Sequence, residues 1–362
     1  MDNATHVGLD VHRDTIAVAV LAPGDTSLDE RTIPATNEAV TRFVRSLRAR
    51  GPLVACYEAG PTGYDTQRLL ERLGVPCEVI APAMIPRRPG SRVKTDRLDA
   101  RNLARLHRAG ELVAVRVPAP SEEALRDLVR VREDLKAERR RARQRIRSFL
   151  LQHGHPWRGT AGWSRRLEDW AGAQQFDEPV AQATFEILLA SQSARAAEVD
   201  ALERKIAEAA SSSAAADQIA RLRCLRGIDT LIAVTIASEV CDFGRFPTGP
   251  AFMAFTGLVP SEHSSGMSSR HGSITKTGNR HVRRVLVEAA WAYRHRPAIG
   301  VELRRRSQDQ PADVRAFCWK AQLRLHARYR RLSPVKGSRK AVVAVARELS
   351  GFVWALMNDR ID

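Results

Sequence analysis

A chain of 362 residues and 40.2 kDa, 44% hydrophobic and 27% charged, is too long for one compact core and too apolar for a disordered polymer, which predicts two or three globular domains. Its 58 Lys and Arg against 41 Asp and Glu leave a net charge of +17, an excess that a small acidic metabolite does not call for and a polyanion does. No apolar run reaches the roughly 18 residues of a membrane span, the N-terminus lacks the basic, apolar and small-residue succession of a secretory signal, and Cys56, Cys77, Cys224, Cys241 and Cys318 form no C-x-x-C pair, so a zinc ribbon is excluded and a cytoplasmic protein is expected.

Residues 6–21 alternate and are rich in Val and Ile, predicting two strands around a turn at His12–Asp14. A short third strand over 31–34, a helix over 39–50, a buried strand over 53–57, a helix over 64–73 closed by Gly74 and a strand over 76–80 follow. This order predicts a mixed sheet flanked by helices. The proline-rich basic run 82–94 reads as a loop, and 96–109 as a helix ended by Gly110.

Beyond the Pro118 and Pro120 pair the character changes. Leu125, Leu128, Arg132, Leu135, Arg139, Ala142, Ile146 and Phe149 keep a 3-4 spacing, which predicts a long helix with a narrow apolar seam. A Trp- and Gly-containing stretch over 153–177 interrupts it before a second long helix carrying Leu188, Arg195, Val199, Leu202, Ile206 and Ala209. Two such helices suit an antiparallel coiled coil or a dimerisation seam, although arginine at seam positions weakens either. The expected domains are therefore 1–118, an α/β domain; 119–216, a coiled coil with an insertion; and 217–362, an all-α C-terminal domain. In the last, Leu225–Asp229 and the residues over 230–240 read as the turn and second helix of a helix-hairpin-helix. Val282, Val285, Leu286, Ala289 and Tyr293 make one helical face behind an exposed Arg283–Arg284 pair.

The excess charge is concentrated. Between Ser264 and Arg347 stand 20 basic and 4 acidic residues, so that stretch holds nearly all of it. Arg304-Arg305-Arg306, Arg328 with Arg330-Arg331, and Lys336 with Arg339-Lys340 recur among Trp291, Tyr293, Trp319 and Tyr329, a mixture that suits phosphate contact and base stacking. Lys276, Arg280, Arg283, Arg284, Arg328 and Arg331 are the expected nucleic-acid contacts.

Two constellations carry chemistry. Asp10 interrupts a strand whose Val7, Leu9 and Val11 face the other way, and a mid-strand carboxylate is unfavourable in a core unless a cation compensates it. Glu58 ends the 53–57 strand before a Gly-Pro-Thr-Gly turn, and Asp96 and Asp99, three apart, share a helix face. An acid from each of two strands and a pair from one helix is a set that suits two magnesium ions in phosphoryl transfer. The same residues are also compatible with a solvent-facing Asp10, a turn glutamate, and acids placed to cap a helix. The second constellation, the small-residue run 257–266 followed by 272–280, reads as a loop leading into a basic helix and is equally compatible with mere flexibility.

Together these segments (GLDVHRD, YEAGPTGY, VKTDRLDARNLARL, and RFPTGPAFMAFTGLVPSEHSSG with GSITKTGNRHVRR) resemble the DEDD transposases of the insertion sequence 110 family, related to the Piv-type DNA invertases, over nearly the whole length. The resemblance implies a RuvC-like, RNase H-type first domain holding Mg2+ on Asp10, Glu58, Asp96 and Asp99. It also implies a C-terminal transposase domain with a serine nucleophile that maps to Ser265, with Ser264 as the neighbouring alternative. It further implies double-stranded donor and target DNA, a structured bridge RNA as guide, a homodimer that pairs into a tetramer, and a composite site uniting the acids with the serine. A junction-resolving nuclease that uses the four carboxylates and water is the rival expectation.

Overall fold

The computed structural model describes residues 3–86, 95–160, 162–265 and 268–361, and the chain divides into two compact units, 1–117 and 118–362. No helix among the described residues is long and apolar enough to cross a membrane.

In the first unit, β1 (Thr5–Val11) pairs antiparallel with β2 (Thr15–Leu21), which pairs antiparallel with β3 (Asp29–Pro34). After α1 (Asn37–Leu47), β4 (Leu53–Glu58) returns parallel to β1 on its other side. Then α2 (Asp65–Arg72) leads to β5 (Cys77–Ile80), parallel to β4, and α3 (Asp96–Arg108) to the two-residue β6 (Ala114–Val115). The sheet order is β3-β2-β1-β4-β5-β6, the mixed sheet expected from the pattern, with β6 the addition that two residues are too few to announce. The expected loop over 82–94 includes a short 3-10 turn at Pro82–Met84, and its part from 87 to 94 lies outside the described residues.

Alternation along the strands divides the core. Val7, Leu9, Ile16, Val18 and Val20 pack with Val40, Phe43, Leu69 and Leu70 of α1 and α2. Ala17, Ala19 and Leu21, on the opposite face, pack with Ala100 and Ala104 of α3. There Gly8 is required: a Cβ on it would stand 2.2 Å from the Ala100 carbonyl oxygen and 2.5 Å from the Ala104 nitrogen. Glycine lets α3 lie directly on β1, and that contact fixes where the first turn of α3 goes.

The second unit opens with α4 (Pro120–Gln152), followed by α5 (Arg165–Gly172) inside the insertion and by α6 (Pro179–Ser211). The long helices pack antiparallel. Their seam arginines find acids within the chain: Arg132, buried, donates through Nε to Glu203 Oε1 at 2.8 Å, Arg139 lies 4.0 Å from Asp200 and Arg195 3.6 Å from Glu138. Ile146, Leu150 and Phe185 close the outer end against Ala171 of α5. At the inner end Leu125, Val129, Ile206 and Ala210 enter the core built by the C-terminal helices.

Those helices are α7 (Ala216–Leu222), α8 (Thr230–Val240), α9 (Gly249–Phe255), α10 (Arg280–Ala290), α11 (Val301–Ser307), α12 (Ala312–Lys336) and α13 (Ser338–Met357). The turn before α8 forms as expected, with Asp229 Oδ1 accepting from the Ile232 nitrogen at 2.8 Å. Two expectations are corrected. The C-terminal region is not all helical, because β7 (Pro260–Ser265) and β8 (Ser268–Ile274) form an antiparallel hairpin where a loop was expected. Serine, histidine and glutamate give these strands no apolar alternation to read. Their base is anchored instead by backbone bonds from Thr275 to Val259 and from Lys276 to Gly257. Nor is Arg283 a freely exposed cation, since its guanidinium donates to the carbonyls of Thr256 at 2.9 Å and Thr277 at 3.3 Å.

Candidate functional site

Asp10 is the sixth residue of β1 and, two residues beyond Gly8, lies on the face that α3 covers. Glu58 is the last residue of β4, and since Leu9 pairs with Tyr57 it ends its strand beside Asp10; it shares a face with Cys56, whose thiol donates to the Leu103 carbonyl of α3. Asp96 and Asp99 stand in the first turn of α3. The N-cap is Thr95, whose hydroxyl accepts from the Leu98 nitrogen, so neither acid is the N-cap residue, while the helix dipole favours their charge.

The closest gathering includes a residue the sequence pattern did not single out. His12 Nε2 lies 3.2 Å from Asp10 Oδ2 and 3.4 Å from Asp96 Oδ1. Ligand atoms of Asp10, His12 and Asp96 all fall within 4.8 Å of one another, and Glu58 and Asp99 are not in that trio. His12 reads as a turn residue after a strand; its only signal is its position two residues past Asp10, on the same strand exit. Burial pushes the Asp10 carboxyl above its ordinary value; His12 pulls it back, and the charges of Asp96 and Asp99 push it up again. A half-buried acid beside two more, with oxygen donors predominating, fits a hard divalent cation, which would remove the like-charge penalty.

In the second unit, Ser264 and Ser265 end β7, paired with Ser269 and Ser268 of β8. The hydroxyl of the exposed Ser264 donates to Glu262 Oε1 at 2.6 Å. The side chain of Ser265 lies outside the described residues.

The segment after the hairpin is held firmly. Asn279 caps α10, accepting from the nitrogens of His281 and Val282, and its amide donates to Glu239 Oε2 at 2.8 Å. Glu239 is buried on α8, where Arg130 of α4 donates to both its oxygens. Burial pushes that carboxyl up, but the bonds from Arg130 and Asn279 outweigh burial and hold it below the usual range.

The six expected nucleic-acid contacts fall into two groups. Lys276, Arg280 and Arg331 are exposed. Arg283 is spent on backbone carbonyls, Arg284 pairs with Glu133 and Glu288, and Arg328 lies 3.5 Å from Glu348.

Comparison with known proteins follows the same division of the chain. A family model for DEDD transposases of IS110, described as "Transposase", matches residues 7–155, and one described as "Transposase IS116/IS110/IS902 family" matches 219–301. The chain is 42% identical to y4qE of Sinorhizobium fredii, which bears the name of a transposase, over 98% of this chain and 88% of that protein. It is 33% identical to the transposase for insertion sequence element IS1533 of Leptospira borgpetersenii, over 92% of this chain and 98% of the relative. A third relative, the transposase for insertion sequence element IS1328 of Yersinia enterocolitica, is 25% identical over 82% of this chain and 86% of its own length. The chain belongs to the IS110 family of DEDD transposases, enzymes of insertion sequences.

Proposed function

We propose that the protein is an RNA-guided, Mg2+-dependent DNA recombinase that cuts and rejoins DNA through a serine phosphodiester. The observation that carries this reading is the acidic gathering at the end of β1 and the start of α3, where half-buried Asp10 meets His12 and Asp96 with Asp99 close enough to raise it. The sheet order, with Asp10 and Glu58 at the ends of adjacent parallel strands, supports a RuvC-like first unit. Asp10, Glu58, Asp96 and Asp99 would hold the cation; bound there, it supplies Lewis acidity to the scissile phosphate.

The serine supplies what four carboxylates and water would not. Attack by the Ser265 hydroxyl on phosphorus forms a Ser–O–P bond as the strand's own P–O bond breaks, and the departing deoxyribose oxygen takes the proton. The phosphodiester is kept as an ester on the protein, and rejoining needs no nucleotide energy source. Ser264, whose proton already points at the Glu262 carboxylate, is the second candidate. Exposed Lys276, Arg280 and Arg331 suit the DNA backbone and a structured bridge RNA. The antiparallel pair α4 and α6 suits a coiled coil, the homodimer and its pairing into a tetramer rest on likeness to the family, and the cytoplasm is the expected compartment.

The test is the covalent adduct. With element-end and target DNA, guide RNA and Mg2+, the full chain should leave DNA attached after denaturation, and Ser265→Ala should abolish the adduct while binding persists. Adduct loss in Ser264→Ala alone would transfer the role to Ser264. Cleaved ends that are always free would replace this reading with the water-using nuclease.

A further inference from the structure

The basic half of α4 lines an open groove of about 830 Å3 within the second unit, bounded by Trp163 of the insertion and Arg284 of α10. From Lys136 to Arg147 the helix carries seven cations and one acid, Glu138, and five of the cations, Lys136, Arg139, Arg140, Arg143 and Arg147, line the groove. Of these, Lys136 and Arg140 make no ion pair or hydrogen bond among the described residues. The Arg143 guanidinium lies 5.1 Å from the centroid of the Trp163 ring, a contact that fixes its plane without neutralising its charge. Arg143 Nε and Trp163 Nε1 are buried donors with no acceptor among the described residues. Two acids share the groove: Glu133 is engaged by His281 and Arg284, and Asp134 is exposed.

Cations without a partner among the described residues, Lys136 and Arg140, lining one groove suit an acceptor-only polyanion. Lys136 to Arg147 spans roughly 16 Å of helix, while duplex DNA carries one negative charge per about 1.7 Å of its axis. We propose that this groove takes the phosphodiester backbone of double-stranded DNA, as a second DNA contact carried by α4 and distinct from the serine hairpin, meeting the polycationic C-terminal stretch only at Arg284. The choice of DNA rests on the family's action on DNA and does not depend on serine chemistry. With no donor set arranged for base edges, the contact is indifferent to sequence. Lys136 and Arg140 hold none of the fold's own hydrogen bonds, so they are the positions to test.

The experiment measures binding of the full chain to a fluorescent duplex DNA of about 30 base pairs, in EDTA, across a salt series, beside an RNA duplex of equal length. The Lys136→Gln/Arg140→Gln double variant should bind the DNA about 10- to 30-fold more weakly near 0.15 M salt. Its slope of log affinity against log salt should fall by about 2, equally on unrelated sequences, with the unfolding midpoint unchanged. Arg140→Gln alone should lower the slope by about 1. An unchanged slope and affinity while the unmodified chain binds DNA would overturn the groove and leave the recombinase reading standing. A loss confined to the RNA duplex would overturn the assignment to DNA. Failure of the unmodified chain to bind either duplex would likewise overturn the groove, while the adduct test decides the recombinase reading separately.

Discussion

Asp10 stands at a place that disfavours its charge. It lies where α3 covers β1, and burial together with Asp96 and Asp99 raises its carboxyl in spite of the bond to His12. A carboxyl raised in the folded state favours folding when protonated, at acid pH, and opposes it when ionised near neutrality. Asp10→Asn keeps the volume and removes the charge, so in metal-free buffer at pH 7 it should stabilise the first unit by on the order of 1 kcal/mol. The same substitution should abolish DNA cleavage. Thermal melts in EDTA and a cleavage assay with Mg2+ check the pair; a destabilised variant would show that Asp10 holds the fold rather than waiting for a cation. Asp10 is legible in sequence because an acid inside a Val-Leu-Val alternation needs a reason. His12 is not, since a histidine after a strand ordinarily belongs to the turn, and only the approach of α3 brings the second carboxylate, Asp96, to it.

At the scale of elements, apolar periodicity exposes nearly every strand and helix of the first unit and both 33-residue helices of the second. It is blind where packing is not the cause. The hairpin of β7 and β8 is held by its ladder and anchored base, and the pair from Arg130 to Glu239 joins α4 to α8 over 109 residues of sequence with no local pattern to announce it. The docking of α3 does rest on packing, but its place is set by the close approach at Gly8, which no periodicity announces, and it is what gathers the acids. Gly8→Ala would force a Cβ against two backbone atoms of α3, neither of which can swing aside. Overpacking of this kind costs about 1–3 kcal/mol, and relief by sliding α3 would move Asp96 and Asp99 away from Asp10. The expected result is a lower unfolding midpoint together with weakened divalent-cation binding, read by denaturant unfolding and by titration of Mn2+ as a spectroscopic probe. A destabilised variant that bound the cation as before would detach the acids from the placement of α3.

For the whole molecule, net charge identifies the C-terminal polycation but conceals the groove on α4. The acids of α6 and of the first half of α4 cancel its cations in any sum over the chain. A like contrast between the units governs the response to acid. His6, buried, and His107, partly buried, lie in the first unit with their Nδ1 atoms 3.1 Å apart, an arrangement that admits one proton between them. Burial lowers both, and for His6 the charges of His107 and Arg108 add to it; Glu78, 3.5 Å from His107 Nε2, is the facing acid. Histidines kept neutral in the fold but free to protonate when unfolded contribute fully above about pH 6.5, and their contribution is lost as pH falls below it. The second unit answers later. Burial raises the carboxyl of Glu133, but hydrogen bonds from His281 and Arg284 outweigh it and bring it down to about 2, so its contribution persists until pH drops beneath the ordinary carboxyl range near 4.5. Between pH 6.5 and 4.5 amide protection in β1 and α3 should therefore fall while that of α8 and α10 holds. The stability slope of the first unit should approach, without exceeding, two protons per molecule. Hydrogen exchange at pH 7, 6 and 5, corrected for intrinsic rates, measures this directly. Simultaneous loss in both units would mean that the histidine pair is not what acid attacks first, and His107→Leu, which removes one titrating ring, should flatten the dependence of β1.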